Sequence, residues 1–303
     1  MLRPSDLNVV CVISNPCRYK TRVNLMKACL ARNAFAGVTQ WLVEAVFGER
    51  EPEVADPSNP HHIIVRCDDE IWLKENLINI AVSHFPTNWR YMMWMDGDVE
   101  FLRPNWAMEV LHTLQHFATV QPFSHVVDMG PNREILETHT GFAHMYLQGQ
   151  PFTPGYGTFW HPGYAWAWRR EAWDAVGGMI DRAVCGAGDH HMATALIGRG
   201  HLSVHGKCSK AYHKMVSDWQ AKAEVHLKRN IGAMEGTILH YFHGAKANRN
   251  YVGRWDILTK TGFEPERDLF KDDAGLLHLD RSNTYLRDLL RAYFRQRNED
   301  GGK

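Results

Sequence analysis

Asp96-Gly97-Asp98 sets two carboxylates two residues apart at the end of an apolar run, Tyr91 to Met95. In an extended chain, residues i and i+2 point to the same side. A Gly between them lets a ligand approach closely. Two unpaired carboxylates held that near repel each other, and a divalent cation relieves the repulsion while leaving positions for diphosphate oxygens. Asp96 and Asp98 are thus candidate metal ligands. A neutral imidazole at a strand end would complete such a set, and His240 and His243 follow the apolar Thr237-Ile-Leu run. Histidines three apart on a strand face opposite ways, so both would bind one ion only if the strand ended between them. Lys246 and Arg249 come next as cations suited to phosphate. Asp189, in Gly186-Ala-Gly-Asp-His-His191, stands where an Asp commonly caps a helix.

Taken singly, each feature has a plainer explanation. An Asp-x-Asp pair is often an acidic surface turn, and a lone His is usually packed in the core or exposed on the surface. The position of the pair after a buried strand, and the Gly-x-Lys-x-x-Arg run after His243, favour chemistry.

The elements that must hold these residues alternate. Leu7 to Ser14 reads as a buried strand closed by Asn15-Pro16, and Arg22 to Asn33 as a helix. Val38–Phe47 and His62–Arg66 are strands around an acidic, Pro-rich loop at 51–60. Ile71–Phe85 is a helix stopped by Pro86, and 90–95 is the strand that leads into Asp96. Asn105 would cap a helix over 106–117, followed by a strand at 119–123. This alternation predicts an α/β fold with a mostly parallel, Rossmann-like central sheet flanked by helices. Ligands of such sheets sit at the carboxyl ends of the strands, where Asp96 and Asp98 lie.

Residues 128–157 are less regular. A strand at 164–168 and a helix at 170–176 closed by Gly177-Gly178 follow. Helices are then expected at 189–197, from a Ser217 cap to about 230, at 250–259 and at 283–297, with a strand at 237–242. The tail from Asn298 is expected to fray. With no repeat or linker, two abutting halves should pack as one compact unit: 1–125, 126–262, and a helical extension at 263–303.

Composition excludes several classes. The chain has 303 residues, with 34 basic against 34 acidic ones, so no overall basic field draws nucleic acid. The six cysteines form no C-x-x-C pair, which argues against zinc ribbons and disulfide frameworks and for a reducing compartment. Met1 to Asn8 is too polar for a signal peptide, and no apolar run is long enough for a membrane span, so a cytoplasmic protein without stable membrane insertion is expected. Each of the 11 tryptophans is more readily core than sugar platform.

The order of motifs resembles the GT-A glycosyltransferases, closest to family 2 and including bacteriophage-encoded versions. The apolar strand ending in Asp96-Gly-Asp98 is similar to that family's metal and nucleotide-sugar motif. The resemblance implies Mn2+ or Mg2+ on Asp98, with Asp96 on the ribose, the metal or its water. Gly163-Tyr-Ala-Trp-Ala-Trp-Arg-Arg-Glu-Ala-Trp-Asp-Ala-Val-Gly-Gly178 resembles the acceptor-side segment. The family's inverting members carry an acidic base about ten residues later, often Glu-Asp. Asp189 matches the second position, and Gly188 replaces the first. The family often places a His before a Gly and a basic residue that reach the diphosphate, which favours His243 as ligand with His240 in reserve. Lys246 and Arg249 would meet the diphosphate. Trp72 to Asn79 resembles the helix before Asp-x-Asp, which would put Lys74 and Asn79 near the donor. Pro16, Tyr19 and Arg22 would flank the base.

The implied activity is metal-dependent transfer from a nucleotide-diphosphate sugar, a UDP-sugar by family habit, to an acceptor hydroxyl, with inversion if Asp189 is the base. A phage origin would place it in the host cytoplasm and make a hydroxymethylated DNA base one acceptor candidate beside glycans. Two other readings compete. A sugar-phosphate nucleotidyltransferase would usually show a Gly-rich basic loop after the first strand, and Asn15-Pro-Cys-Arg-Tyr-Lys20 has no Gly. A non-catalytic carbohydrate-binding module has no need of Asp96, Asp98 and His243 together.

Overall fold

The computed structural model describes residues 1–152 and 160–301. Leu7–Ser14 (β1) is buried over its first five residues, as a central strand with both faces covered must be. Then come α1 (Lys20–Phe35), β2 (Thr39–Phe47), β3 (His62–Cys67), α2 (Lys74–Ser83) and β4 (Tyr91–Met95). The chain continues through β5 (Val99–Phe101), α3 (Trp106–Thr113), β6 (Thr119–Gln121), β7 (His125–Met129), β8 (Ile135–Gly141), α4 (Phe142–Leu147) and β9 (Trp160–His161). Next are β10 (Ala165–Arg169), α5 (Arg170–Val176), α6 (Gly188–Leu196), α7 (Lys210–His226), β11 (Ile231–Ala233) and β12 (Thr237–His240). Last are α8 (Trp255–Thr261), α9 (Pro265–Asp268), β13 (Leu269–Lys271), β14 (Leu277–Leu279) and α10 (Thr284–Gln296).

Among the described residues, the main sheet has the order β11-β6-β10-β4-β1-β2-β3. Its pairs are parallel except where β10 lies antiparallel between β4 and β6. The fold is therefore α/β, with a mostly parallel central sheet flanked by helices. Strand alternation divides the core by sheet face. Met92, Trp94, Trp166 and Trp168 pack on one face, and Tyr91, Met93, Met95, Ala165 and Ala167 on the other. Truncating either Trp166 or Trp168 to Ala would cost about 3–5 kcal/mol.

A second sheet, β5-β12-β7-β8-β9, stands at the carboxyl end of β4. It is the part of the fold the sequence least foretold. Residues 128–157 carry all of β8 and the helix α4, and residues 153–157 of that stretch lie outside the described residues. β8 is exposed from Ile135 to Glu137 and beyond, so it shows no apolar alternation.

Three further expectations are corrected. Ser217 lies inside α7 with its hydroxyl on the Lys214 carbonyl at 3.0 Å, and the cap is Ser209, whose Oγ accepts from the Tyr212 N–H. The helix expected at 250–259 starts at Trp255, because Asn250 sits at φ 45° and breaks the run. The segment after α10 is docked rather than frayed through residue 301. Glu299 is 2% exposed, and Asp300 accepts from the Lys20 and Thr21 N–H groups at 2.9 and 2.8 Å.

Candidate active site

The turn after β4 separates the two aspartates. The Asp96 N–H donates to the Tyr164 carbonyl at 2.8 Å, and the Val99 N–H closes the turn on the Asp96 carbonyl at 3.3 Å. Gly97 brings the turn close against α1, where a Cβ would meet the end of the Met26 side chain, 2.4 Å from Cε. β5 then pairs antiparallel with β12, Val99 opposite His240, and the Tyr241 N–H donates to the Asp98 carbonyl at 2.8 Å. β12 runs parallel to β7, with His240 opposite Asp128. The strand ends at His240, the condition under which His243 can turn back to the same point. Gly244 completes that turn at φ +88°.

Three lone-pair atoms converge as a result. Asp98 Oδ2 lies 2.8 Å from His243 Nε2 and 3.8 Å from His240 Nε2, and the two Nε2 atoms are 3.3 Å apart. His240 Nδ1 meets Asp128 Oδ1 at 2.7 Å, so Nδ1 carries a proton and Nε2 faces Asp98 and His243. Arg249 Nη2 stands 2.8 Å from His243 Nε2. A guanidinium can only donate and calls for a lone pair on that nitrogen, whereas the Asp98 carboxylate at 2.8 Å calls for a proton on it. Asp98 Oδ1 is buried with no hydrogen-bond partner. Two imidazole nitrogens and an orphaned carboxylate oxygen around one point suit a divalent cation of borderline or hard character. Asp98, His240 and His243 together have ligand-to-ligand distances a single ion would span. Burial alone would raise the Asp98 carboxyl, but His243 and His240 hold it well below the usual range, so it is ionised.

Behind this cluster Asp128 serves several partners. It takes His139 Nε2 at 2.8 Å, the Tyr164 hydroxyl at 3.2 Å and an ion pair with Lys246. Lys246 also reaches Glu137 at 2.8 Å. Burial opposes ionisation of Asp128, but His139, His240 and Lys246 carry it far below the ordinary carboxylate value. An ionised carboxylate behind a ligating imidazole fixes the ring and raises its basicity.

On the other side of the turn, Asp96 Oδ1 pairs with Lys74 Nζ at 2.5 Å, and Asp189 Oδ2 lies 3.9 Å from the same ammonium. Burial raises the Asp96 carboxyl, with Lys74 opposing. Asp189 is not the cap of α6, since Ala187 occupies that place at φ +86°. It sits in the first turn, where its Oδ1 accepts the His190 N–H at 2.7 Å. Gly163 lies against it, and a Cβ there would stand 2.6 Å from Asp189 Oδ2, so the carboxylate would have to turn away. Tyr164, at φ +73°, is a second left-handed non-glycine residue on this wall, and such strain persists only where packing enforces it. Glu75 is buried behind Gly188, and burial pushes its carboxyl up to about 8.

All of this opens on a cleft of about 1300 Å³ at the carboxyl ends of β1 and β4. No protein-family model matches the sequence, and no curated protein matches it. Among solved structures, the chain is similar to the catalytic domain of Drosophila β1,4-galactosyltransferase 7 in complex with xylobiose. The match is 14% identical, covers 64% of this chain and 61% of that one, and has a TM-score of 0.34. A mutant of that enzyme, complexed with manganese, UDP-Gal and xylobiose, matches at 14% identity over 64% and 62% of the two chains, TM-score 0.34. The chain thus spans about six-tenths of the length of these galactosyltransferase structures. A protein from Desulfovibrio desulfuricans, described as a nucleotide-diphospho-sugar transferase, matches at 11% identity over 95% and 98% of the chains, TM-score 0.35. At such scores these are loose likenesses, and no residue role is taken from them.

Of the residues singled out in the sequence, Arg22, Lys74, Asp96, Asp98, Asp189, His240, His243, Lys246 and Arg249 all line the cleft. Pro16 does not. It borders a separate small depression with Arg50 and Glu70. Tyr19 is turned to the Phe294 carbonyl at 2.9 Å, and Asn79 holds the Met179 carbonyl at 3.1 Å. Trp72 and Trp255 line the cleft. Asp128, His139, Glu75 and Glu299 were missed. His240 directly precedes the His243-Gly signal, but nothing local to Asp128 marks it as its partner across the sheet. No described helix is long and apolar enough to cross a membrane.

Proposed function

We propose that this chain is a divalent-metal-dependent glycosyltransferase acting on a nucleotide-diphosphate sugar, a UDP-sugar, and transferring to an acceptor hydroxyl with inversion. The observation that carries this reading is the meeting of Asp98 Oδ2 with two imidazole nitrogens beside a large cleft, with a second carboxylate, Asp189, across it. Asp98, His240 and His243 would hold the ion, Mn2+ or Mg2+, which when bound supplies Lewis-acid neutralisation of a departing diphosphate. Arg249 and Lys246 stand on the same side as cations for phosphate oxygens. Arg22 lines the donor end of the cleft.

Asp189 offers its Oδ2 toward the space next to Gly163. It would take the proton of the acceptor hydroxyl as that oxygen bonds to the anomeric carbon and the bond to the diphosphate breaks. Lys74 stands between Asp96 and Asp189, 2.5 and 3.9 Å from their oxygens, and holds both carboxylates in place. The acceptor is a hydroxyl-bearing glycan or a hydroxymethylated base in DNA. The chain's zero net charge disfavours DNA.

The test is a donor screen with manganese, reading nucleoside diphosphate release from UDP-, GDP- and TDP-sugars, with Asp98→Asn as control. Metal-dependent release from one donor, lost in Asp98→Asn, is expected. Pyrophosphate release from a nucleoside triphosphate and a sugar phosphate would favour nucleotidyl transfer instead. Sugar binding that needs no cation and survives Asp98→Asn would mark a binding module.

A further inference from the structure

Glu299 follows α10, far in sequence from Asp98, His240 and His243, yet its side chain is 1% exposed and lies against the candidate cation site. Its Oε1 accepts from Arg22 Nη2 and from Arg297 Nε, both at 2.6 Å, and Oε2 pairs with Arg22 Nε. Oε2 also faces His243 Nδ1 at 3.5 Å. We propose that Glu299 is a positioning residue for His243: its carboxylate holds the ring proton on Nδ1, so that the Nε2 lone pair points at Asp98 and His240. The inference rests on the cation reading given above.

Two contacts favour this tautomer and one opposes it. Arg249 Nη2, an obligate donor, stands 2.8 Å from Nε2 and calls for a lone pair there, while the Asp98 carboxylate, also 2.8 Å from Nε2, calls for a proton. A carboxylate at Nδ1 tips that balance, and the acceptor there is Glu299. At 3.5 Å the contact is loose for a hydrogen bond, but a buried carboxylate still biases a neighbouring ring's proton at that range. His240 has the same arrangement with Asp128 at 2.7 Å, so both imidazoles of the cluster carry a carboxylate at Nδ1. Paired carboxylate–imidazole units are the usual support of a metal-binding histidine.

The backbone around Glu299 is built for this placement. Asp300 receives the first two N–H groups of α1, and the Tyr19 hydroxyl accepts the Asn298 N–H at 3.1 Å. Gly244 has no side chain where the segment crosses. A Cβ there would lie 2.9 Å from Glu299 Cα.

The experiment uses the full chain, free of metal and 15N-labelled, to read the His243 tautomer from its ring nitrogens. Mn2+ affinity is measured by calorimetry without donor, for the wild type, Glu299→Gln, Glu299→Asp and Arg297→Met. Arg297→Met removes one of the two guanidinium partners of Glu299 and leaves Arg22 and His243 in place, so it reports the purely structural part. We expect an Nδ1–H ring in the wild type, a mixed tautomer and about 10- to 100-fold weaker Mn2+ binding in Glu299→Gln, partial recovery in Glu299→Asp, and near wild-type affinity in Arg297→Met. An Nδ1–H ring and unchanged Mn2+ affinity in Glu299→Gln overturn the proposal, as does an equal loss in Arg297→Met. A wild type that takes up no Mn2+ removes the cation reading itself. The tautomer measurement, made without metal, separates the two failures.

Discussion

Glu75 gives a test of the site that needs no substrate. Replacing it with Gln keeps the shape and fixes the neutral state. In the folded chain burial lifts this carboxyl from 4.5 to about 8, with Asp189 adding to the rise and Lys74 opposing it. The folded state therefore holds a proton between those two values that the unfolded chain has released. Stability must fall as pH rises across that window and level off above about 8. At about 1.4 kcal/mol per tenfold change in proton affinity, the full loss is about 5 kcal/mol, an upper bound to order of magnitude. Most of it is already incurred at pH 7. Glu75→Gln loses none of it. Chemical denaturation of wild type and Glu75→Gln from pH 5 to 9 should thus give curves that diverge up to about pH 8 and keep their separation above it, the variant being more stable at pH 8. Parallel curves, or a wild type that gains on the variant as pH rises, would refute a proton-holding Glu75.

Gly163→Ala puts a methyl group 2.6 Å from Asp189 Oδ2. It should lower kcat at least tenfold with little change in metal affinity, read by steady-state kinetics beside manganese titration. Asp189→Asn should keep donor and metal binding but lose 10²–10⁴-fold in transfer to an acceptor, and the wild-type product should have the inverted anomer. A retained anomer by NMR would take the base role from Asp189. Asp128→Asn removes the charge shared by His240, His139 and Lys246. It should weaken Mn2+ binding 10- to 100-fold in calorimetry.

How far the sequence could be read depended on the range of the interactions. β1 and β4 are continuous apolar runs because both faces are covered, and α10 repeats Leu286, Leu290, Tyr293 and Phe294 on one side. Such local patterns are legible, and so were Asp98 and the two histidines. Asp128 was not, because it matters through strand pairing with β12, and β8 beside it is too exposed to show a strand period. α7 was placed too late because Ser217 resembles a cap, although the buried Tyr212 and Val216 begin the apolar stripe upstream of it. Glu299 gave no local signal at all: its meaning comes from Arg22 and His243, which only the folded chain brings to it.

That dependence has a consequence during synthesis. Asp98, Asp128, His240 and His243 all leave the ribosome before Glu299 does. Until it arrives, Arg22 and Arg297 have lost their shared counter-ion, and the His243 ring is free to hold its proton on either nitrogen. A nascent chain can therefore build its parallel sheet early, yet its affinity for a cation should mature late, when one glutamate closes the gap between the first helix and the last.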